Sequence, residues 1–335
     1  MSILINSTNF PDDNFRAYVQ STIMGDASAS ELTDEKIAST IDIDVSYSDI
    51  ADLKGIEYFT ALTSLVCTGN SLTTLDMSSN TALTVLMCNS NQLESLNISK
   101  NAALRSLYCG SNKLKTFDIT HCTSLIQFVC NNNRFLTLDL SKNTALNILG
   151  CSLNMLESLD LSANTALYDV TCDHNRLTEL DLSANTALEE IEINPHTHNG
   201  LNFTETEDEM YQVDLSQYVS DVSKISNISA KSASGASIIT SYANGILKLA
   251  DEPASVNYFY AVNYGTNKTA NLDVTLVSDP VIITEELPDT ELGDTYNTKI
   301  EAEGTGTLEY AIVSGALPDG LTLDSSTGVI SGTIR

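Results

Sequence analysis

From Leu62 onward the apolar residues fall at fixed places in a unit of 21 residues: Leu62, Leu83, Leu104, Leu125, Leu146, Leu167 and Leu188 open successive units. Within a unit, Leu65 and Cys67 sit two apart, with equivalents running through Cys88, Cys109, Cys130, Cys151 and Cys172. An asparagine follows each cysteine three places later, at Asn70, Asn91, Asn112, Asn133, Asn154 and Asn175. A fixed period without insertions means a solenoid whose coils stack on one another. The Leu-x-Cys alternation predicts a short strand with both residues inward, so that successive coils pair as a parallel sheet. That sheet is the expected concave wall. The asparagine turns the chain out of the strand, and its amide suits backbone groups that the turn leaves unpaired, so a ladder of asparagines is expected. The second half of the unit, Leu72-x-x-Leu75-Asp-Met77-x-x-Asn80, copies the spacing of the first. With only about ten residues per half, no full helix fits on the convex side.

The flanks carry other patterns. In Phe10-Pro-Asp-Asp-Asn-Phe15-Arg-Ala-Tyr18-Val19, the proline and acids suit a helix start, and Phe15, Tyr18, Val19 and Ile23 form one apolar face. Thr33, followed by Asp34 and Glu35, predicts a second short helix. Residues 1–40 are therefore read as a helical N-terminal cap over the open end of a solenoid spanning 41–200. Its first coil is irregular, with Ile43, Val45, Ile50, Leu53 and Ile56 inside. In the last coil, Leu188 to Pro195, the pattern is lost, and Pro195 is expected to stop the ladder. From Tyr211 the chain turns to strict alternation, notably Val256 to Tyr264 and Leu272 to Leu276, with Gly265 and Asn267 as turn formers. Residues 201–278 are read as an Ig-like β-sandwich, and a further module covers 279–335.

Composition narrows the functional classes. The formal charge of −28 argues against nucleic acid and against an anionic membrane surface. No run of 18 apolar residues occurs that would insert in a membrane, and Met1 to Asn6 lacks the basic start and apolar core of a signal peptide. Either the protein is cytosolic or its signal has been trimmed. Six of the seven cysteines occupy one inward slot. Parallel neighbouring strands lie about 4.8 Å apart with parallel side chains, whereas a disulfide needs converging Cβ atoms about 3.8 Å apart. Buried, reduced thiols acting as small hydrophobes are expected. Cys122 stands outside that column, where other coils carry Asn80, Asn101, Asn143, Asn164 and Asn185, and reads as a partnerless substitution.

Candidate chemistry is sparse. Gly25 to Leu32 is placed like a calcium loop between helices but lacks the spaced acidic ligands, and Lys36 stands where the bidentate acid would be. His196 and His198 read as exposed loop histidines, half a metal site without a third ligand. Cys172 and His174 are close in sequence, yet alternation turns Cys172 inward, away from nucleophilic work. No catalytic residue, metal or cofactor is expected. The concave face offers more. Between the inward Leu and Cys of each coil stand Val66, Met87, Tyr108, Val129, Gly150, Thr171 and Glu192, of which the first four form an apolar stripe that reads either as a partner site or as ordinary surface hydrophobes. Arg105, Gln127 and Asn131 flank it. Toward the C-terminal end Asp169, Asp173, Glu189, Glu190 and Glu192 make an acidic patch that reads either as a receiver of a basic partner or a cation, or as a solvated charged end.

The Leu-x-x-Leu-x-Cys-x-x-Asn-x-Leu segment matches the leucine-rich repeat, with Cys in place of its middle Leu. Together with the Asn-Thr-Ala-Leu connector and the opening Ile5 to Arg16, it resembles internalin-family surface proteins of the cysteine-ladder type over about the first 200 residues. Leu317-Pro-Asp-Gly320 through Gly328-Val-Ile-Ser-Gly332-Thr333 resembles a bacterial Ig-like module related to cadherin-like folds. That module continues with further strands after its Gly-Thr, so the chain is expected to end in a truncated module and to be a fragment of something longer. The fold class expected is a leucine-rich-repeat solenoid, mostly β with a parallel concave sheet, a helical N-terminal cap and C-terminal Ig-like modules. The resemblance implies export, attachment at the cell surface or wall, and a non-enzymatic role in adhesion to a protein or glycan by a monomer. The alternatives are the targeting or scaffold portion of a larger surface enzyme, and a rigid spacer.

Overall fold

The computed structural model describes residues 2–116, 118–206, 210–264, 268–277, 281–282, 295–300, 302–303, 310 and 317–333. The chain divides into two compact units, one of residues 1–197 with 259–274 and the other of residues 198–258 with 275–335. The expected turn at Gly265 and Asn267 and the start of the last module at Pro280 lie outside the described residues.

The first unit is the solenoid. Eight strands form one parallel sheet: β1 (Asp42–Asp44), β2 (Ser64–Val66), β3 (Val85–Met87), β4 (Ser106–Tyr108), β5 (Gln127–Val129), β6 (Ile148–Gly150), β7 (Asp169–Thr171) and β8 (Glu190–Glu192). Each pairs with the next in strict register, so that Leu65, Leu86, Leu107, Phe128, Leu149 and Val170 stack in one buried column. The six ladder cysteines stack beside it, all buried and all free thiols. Burial pushes Cys88 and Cys172 up to about 12 and the others well above the usual thiol range. On the back, among the described residues, only Thr74–Asp76 and Ser95–Asn97 pair as strands.

Two asparagine columns hold the coils together. Asn133 is representative of the first. Its Nδ2 donates to Cys109 O and Cys130 O, both at 3.0 Å, and its Oδ1 accepts from Leu114 N–H at 3.0 Å. One side chain thus satisfies three backbone groups on two coils, each bond worth about 1 kcal/mol net. Asn80, Asn101, Asn143, Asn164 and Asn185 form the second column on the convex side, where Asn164 Nδ2 reaches Leu140 O and Asn143 O. Their side-chain oxygens are buried without a hydrogen-bond partner.

Cys122 is not partnerless. An asparagine there would donate to Ile98 O and Asn101 O. Instead His121 Nε2 lies 2.8 Å from Ile98 O, and the Cys122 thiol points to Asn101 O at 3.6 Å and lies 3.4 Å from His121 Nε2. Two adjacent residues divide the work of one amide.

The residue before each ladder asparagine is left-handed, as is Tyr47 in the first coil: Tyr47, Gly69, Ser90, Ser111, Asn132, Leu153 and His174 have φ between 52° and 71°. The asparagine turn demands this geometry, and only one coil meets it with glycine.

The cap is small. Helix α1 (Asp13–Tyr18) starts on Asp12, whose Oδ1 accepts from Asn14 and Phe15 N–H, and widens into a π-helical stretch over Val19–Met24 ended by Gly25. Asp12 also ties the cap to the first coil, since its Oδ2 accepts from Ala51 N–H at 2.8 Å. Helix α2 (Asp34–Ser39) begins on the Thr33 side chain. Phe15, Val19 and Ile23 are buried, as are all five expected residues of the first coil, whereas Tyr18 is half-buried. At the other end Pro195 does not stop the ladder. Proline lacks only the N–H, and its carbonyl still accepts from His174 N–H at 2.6 Å, so one more rung forms through Thr197.

In the second unit, β9 (Tyr211–Asp214), β10 (Ile239–Ala243) and β11 (Ile246–Leu249) form an antiparallel sheet extended by Thr204–Glu205. Asn244 and Gly245, both at positive φ, close the β10–β11 hairpin as a two-residue turn of the kind that fits strand twist. A separate three-stranded antiparallel sheet joins Thr295–Lys299, Val329–Thr333 and Leu321–Leu323. The long strands Ser255–Tyr264 and Lys268–Val277, whose residues 259–274 count with the first unit, bury alternate residues, Val256, Tyr258, Tyr260 and Val262 on one and Leu272, Val274 and Leu276 on the other.

Two consequences can be measured. Leu153 pays for its left-handed backbone while half exposed, so Leu153→Gly should raise stability in urea unfolding by roughly 1 kcal/mol, the reverse of a usual Leu-to-Gly change. The native chain should take up no iodoacetamide at its ladder cysteines near neutral pH, while the unfolded chain should label all seven thiols in a mass spectrum.

Candidate functional site

The strict register turns the exposed side of the sheet into straight columns of side chains. The central one runs Asp44, Val66, Met87, Tyr108, Val129, Gly150, Thr171 and Glu192. Two residues earlier on each strand runs Asp42, Ser64, Val85, Ser106, Gln127, Ile148, Asp169 and Glu190. The face is thus acidic at both ends and largely apolar between them.

Val66, Met87, Tyr108 and Val129 are immediate neighbours, as expected, but they are half-buried rather than fully exposed. Strand spacing presses each side chain against the next, leaving only outer edges to solvent. Tyr108 and Gln127, from different columns, come together: the phenol donates to Gln127 Oε1 at 2.8 Å, and Ser106 Oγ reaches the same oxygen at 3.2 Å. Asn131 has a structural duty. Its Oδ1 accepts from Ser152 N–H at 2.8 Å, and its amide covers Gly150, where a Cβ would lie 3.1 Å from that oxygen. Asn89 does the same for Gly110 N–H at 2.8 Å. Arg105 is exposed at the edge of the face. Val85, Ile126 and Ile148 are also half-buried on this side and extend the apolar strip. The same 21-residue register, applied to the outward slots before the central column, points to them.

At the C-terminal end, Asp169 stands directly opposite Glu190. Burial first and the Glu190 charge second raise the Asp169 carboxyl above its ordinary range. Glu189 and Glu190 raise the Tyr168 phenol on the same edge. Next to them Ser152 Oγ donates to Asp173 Oδ1, and Asp173 Oδ2 lies 2.5 Å from His174 Nδ1. In this chain of contacts the serine bonds the carboxylate and not the imidazole, so nothing activates it as a nucleophile. Cys172 is buried in the ladder, its thiol pushed up to about 12, and takes no part.

The histidine reading needs correction. His196 is not an exposed loop residue: it lies in the last rung, 1% exposed. His198 is half-buried with its ring edge-on to Tyr218. Among the described residues no three His, Cys, Asp or Glu side chains gather as metal ligands. Asp26, in the loop placed like a calcium site, bonds Ser28 through its N–H and hydroxyl.

Comparison with known proteins places the chain. Residues 279–335 match the family described as "Putative Ig domain". A 72-residue stretch is 44% identical to Internalin J of Listeria monocytogenes serotype 4b, covering 22% of this chain and 8% of that protein's length. Among solved structures, the internalin inlF of Listeria monocytogenes superposes with a TM-score of 0.50 at 23% identity, over 59% of each chain. Internalin C2 of the same organism gives a TM-score of 0.50 at 19% identity, over 59% of this chain and 88% of that one. These likenesses establish the fold.

The Tyr108–Gln127 contact is testable by a double-mutant cycle. Tyr108→Phe and Gln127→Ala should couple by about 1 kcal/mol in unfolding free energy, the worth of one partly buried hydrogen bond.

Proposed function

We propose that this internalin-like leucine-rich-repeat chain is a non-enzymatic adhesin of the bacterial surface or secreted fraction that holds a protein or glycan on the concave face of its solenoid. On this reading residues 1–40 cap the solenoid, 41–200 carry the binding face, and 201–278 and 279–335 serve as stalk modules. The observation that carries the reading is the apolar strip Val66, Met87, Tyr108 and Val129, set in register on a sheet face and bordered by fixed polar groups. Such contiguous apolar surface is what an exposed sheet devotes to a partner. Tyr108 is the expected anchor, because its ring is already oriented by Gln127 and loses little freedom on binding. Arg105, Gln127 and Asn131 border the contact, and the acidic end at Asp169, Glu190 and Glu192 favours the basic part of a protein partner.

A pull-down from host-cell surface extract tests this, using the full chain and the double variant Met87→Ser, Tyr108→Ser, with matching circular dichroism. A partner held by the native chain and lost by the variant is the expected result; equal retention, or none by either, overturns the site. With the partner in hand, Glu190→Lys should slow association severalfold at low salt and flatten its salt dependence while leaving dissociation nearly unchanged.

A further inference from the structure

The asparagine ladder has one rung more than it has asparagines. Twenty-one residues beyond Asn175 stands His196. The structure puts it in the ladder position: Asn175 and His196 form a parallel bridge, and Thr197 N–H donates to Asn175 O at 3.0 Å. Asn175 uses its amide for donations to Cys172 O at 2.9 Å and Cys151 O at 3.0 Å, the carbonyls three and 24 residues earlier. For His196 the same carbonyls belong to Ile193 and Cys172. A neutral imidazole has one N–H and cannot donate twice in that direction. His196 is 1% exposed, and neither ring nitrogen meets a partner in hydrogen-bonding geometry. The backbone of Ile193 and Asn175 lies against the ring but outside that geometry, and burial holds the group down at about 4.

The charged groups around it do not compensate. Asp173 favours the protonated ring and His174 opposes it, both from the preceding rung, and Asp173 is already committed to Ser152 and His174. On the adjoining strand Asp273 bonds Asn194 through its backbone N–H at 2.6 Å.

We propose that His196 is an acid-operated latch: protonation of this buried, unpaired ring releases the rung Asn194–Thr197 from the preceding coil while the coils built on asparagine stay closed. An unfolded histidine titrates near 6.5, well above the folded ring. The rung's stability is therefore complete above pH 6.5, falls as pH drops through that value, and levels off below about pH 4. The full separation is worth roughly 300-fold in the opening equilibrium. In the other rungs the ladder position holds an asparagine, whose side chain does not titrate, so the response is confined to one end of the sheet.

Amide hydrogen exchange on the whole chain, corrected for intrinsic rates, reads this directly. Between pH 7 and about pH 4.5, protection at Thr197 and His174 should fall roughly 50- to 100-fold, while Cys88, held by Tyr108 O, keeps its protection. His196→Asn should abolish the fall, and His198→Asn should leave it in place. Should His196→Asn fail to fold, the ring proton chemical shift of His196 in the native chain decides the matter. A midpoint near 6.5, a fall shared by Cys88, or an unchanged fall in His196→Asn overturns the latch.

Discussion

A coil of 21 residues has to turn sharply several times, and each turn leaves backbone N–H and C=O groups facing the core, where no water reaches them. Everything else in the solenoid depends on pairing those groups. The asparagine side chain does so because it carries two donors and an acceptor on a short stem, enough to reach a carbonyl of its own coil, a carbonyl of the coil before, and an N–H across the turn. The cysteines follow from the same constraint. Where the amides bring adjacent coils so close, the inward slot beside them admits a small apolar side chain, and a thiol fills it without asking for a partner of its own.

The substitutions in these columns show how strict the requirement is. On the convex side the loss of an amide at Cys122 is met by its neighbour, His121, whose ring reaches Ile98 O while the thiol turns to Asn101 O. At His196 no neighbour compensates, and neither ring nitrogen meets a partner although the rung itself is in place. One histidine thus restores the pairing from a half-exposed position and the other sits in it, buried and unpaired. The first is an alternative solution and the second a local weakness.

The repeat made most of the first unit legible from sequence. Period, inward slots, free thiols and asparagine ladder all follow from counting, and the coils obey. What escaped has physical reasons. Pro195 reads as a stop because it has no N–H, yet the ladder at that point needs only its carbonyl. His196 reads as loop because its residue type breaks the pattern, although its spacing keeps it; position outranks identity inside a stacked array. The partners of Cys122 depend on His121, a position that the other coils fill with Ser79, Lys100, Lys142, Ala163 and Ala184, so no periodicity announces it. On the concave face the columns were legible, whereas the half-burial of Met87 and Tyr108 and the structural use of Asn131 depend on neighbours in adjacent coils that spacing alone does not weigh.

The ladder also shapes the face proposed for binding. Because each strand is fixed to the next in register, the seven strands from β2 to β8 set side chains at intervals of about 4.8 Å, over a span of roughly 29 Å. Half-burial then has a use: side chains already packed against their neighbours surrender little entropy to a partner, so the apolar strip is prepared before contact. The acidic end works the other way. Asp169 opposite Glu190 is a like-charged cross-strand pair, unfavourable in the free protein, and after burial this repulsion is the second cause of the raised carboxyl of Asp169. A basic group placed between them removes that repulsion as well as adding its own attraction. The two halves of the face therefore offer different terms to a partner: fixed shape over the apolar strands, and relief of repulsion at the acidic ones. A protein surface with an apolar ridge leading to lysine or arginine meets both, and a neutral ligand meets only the first.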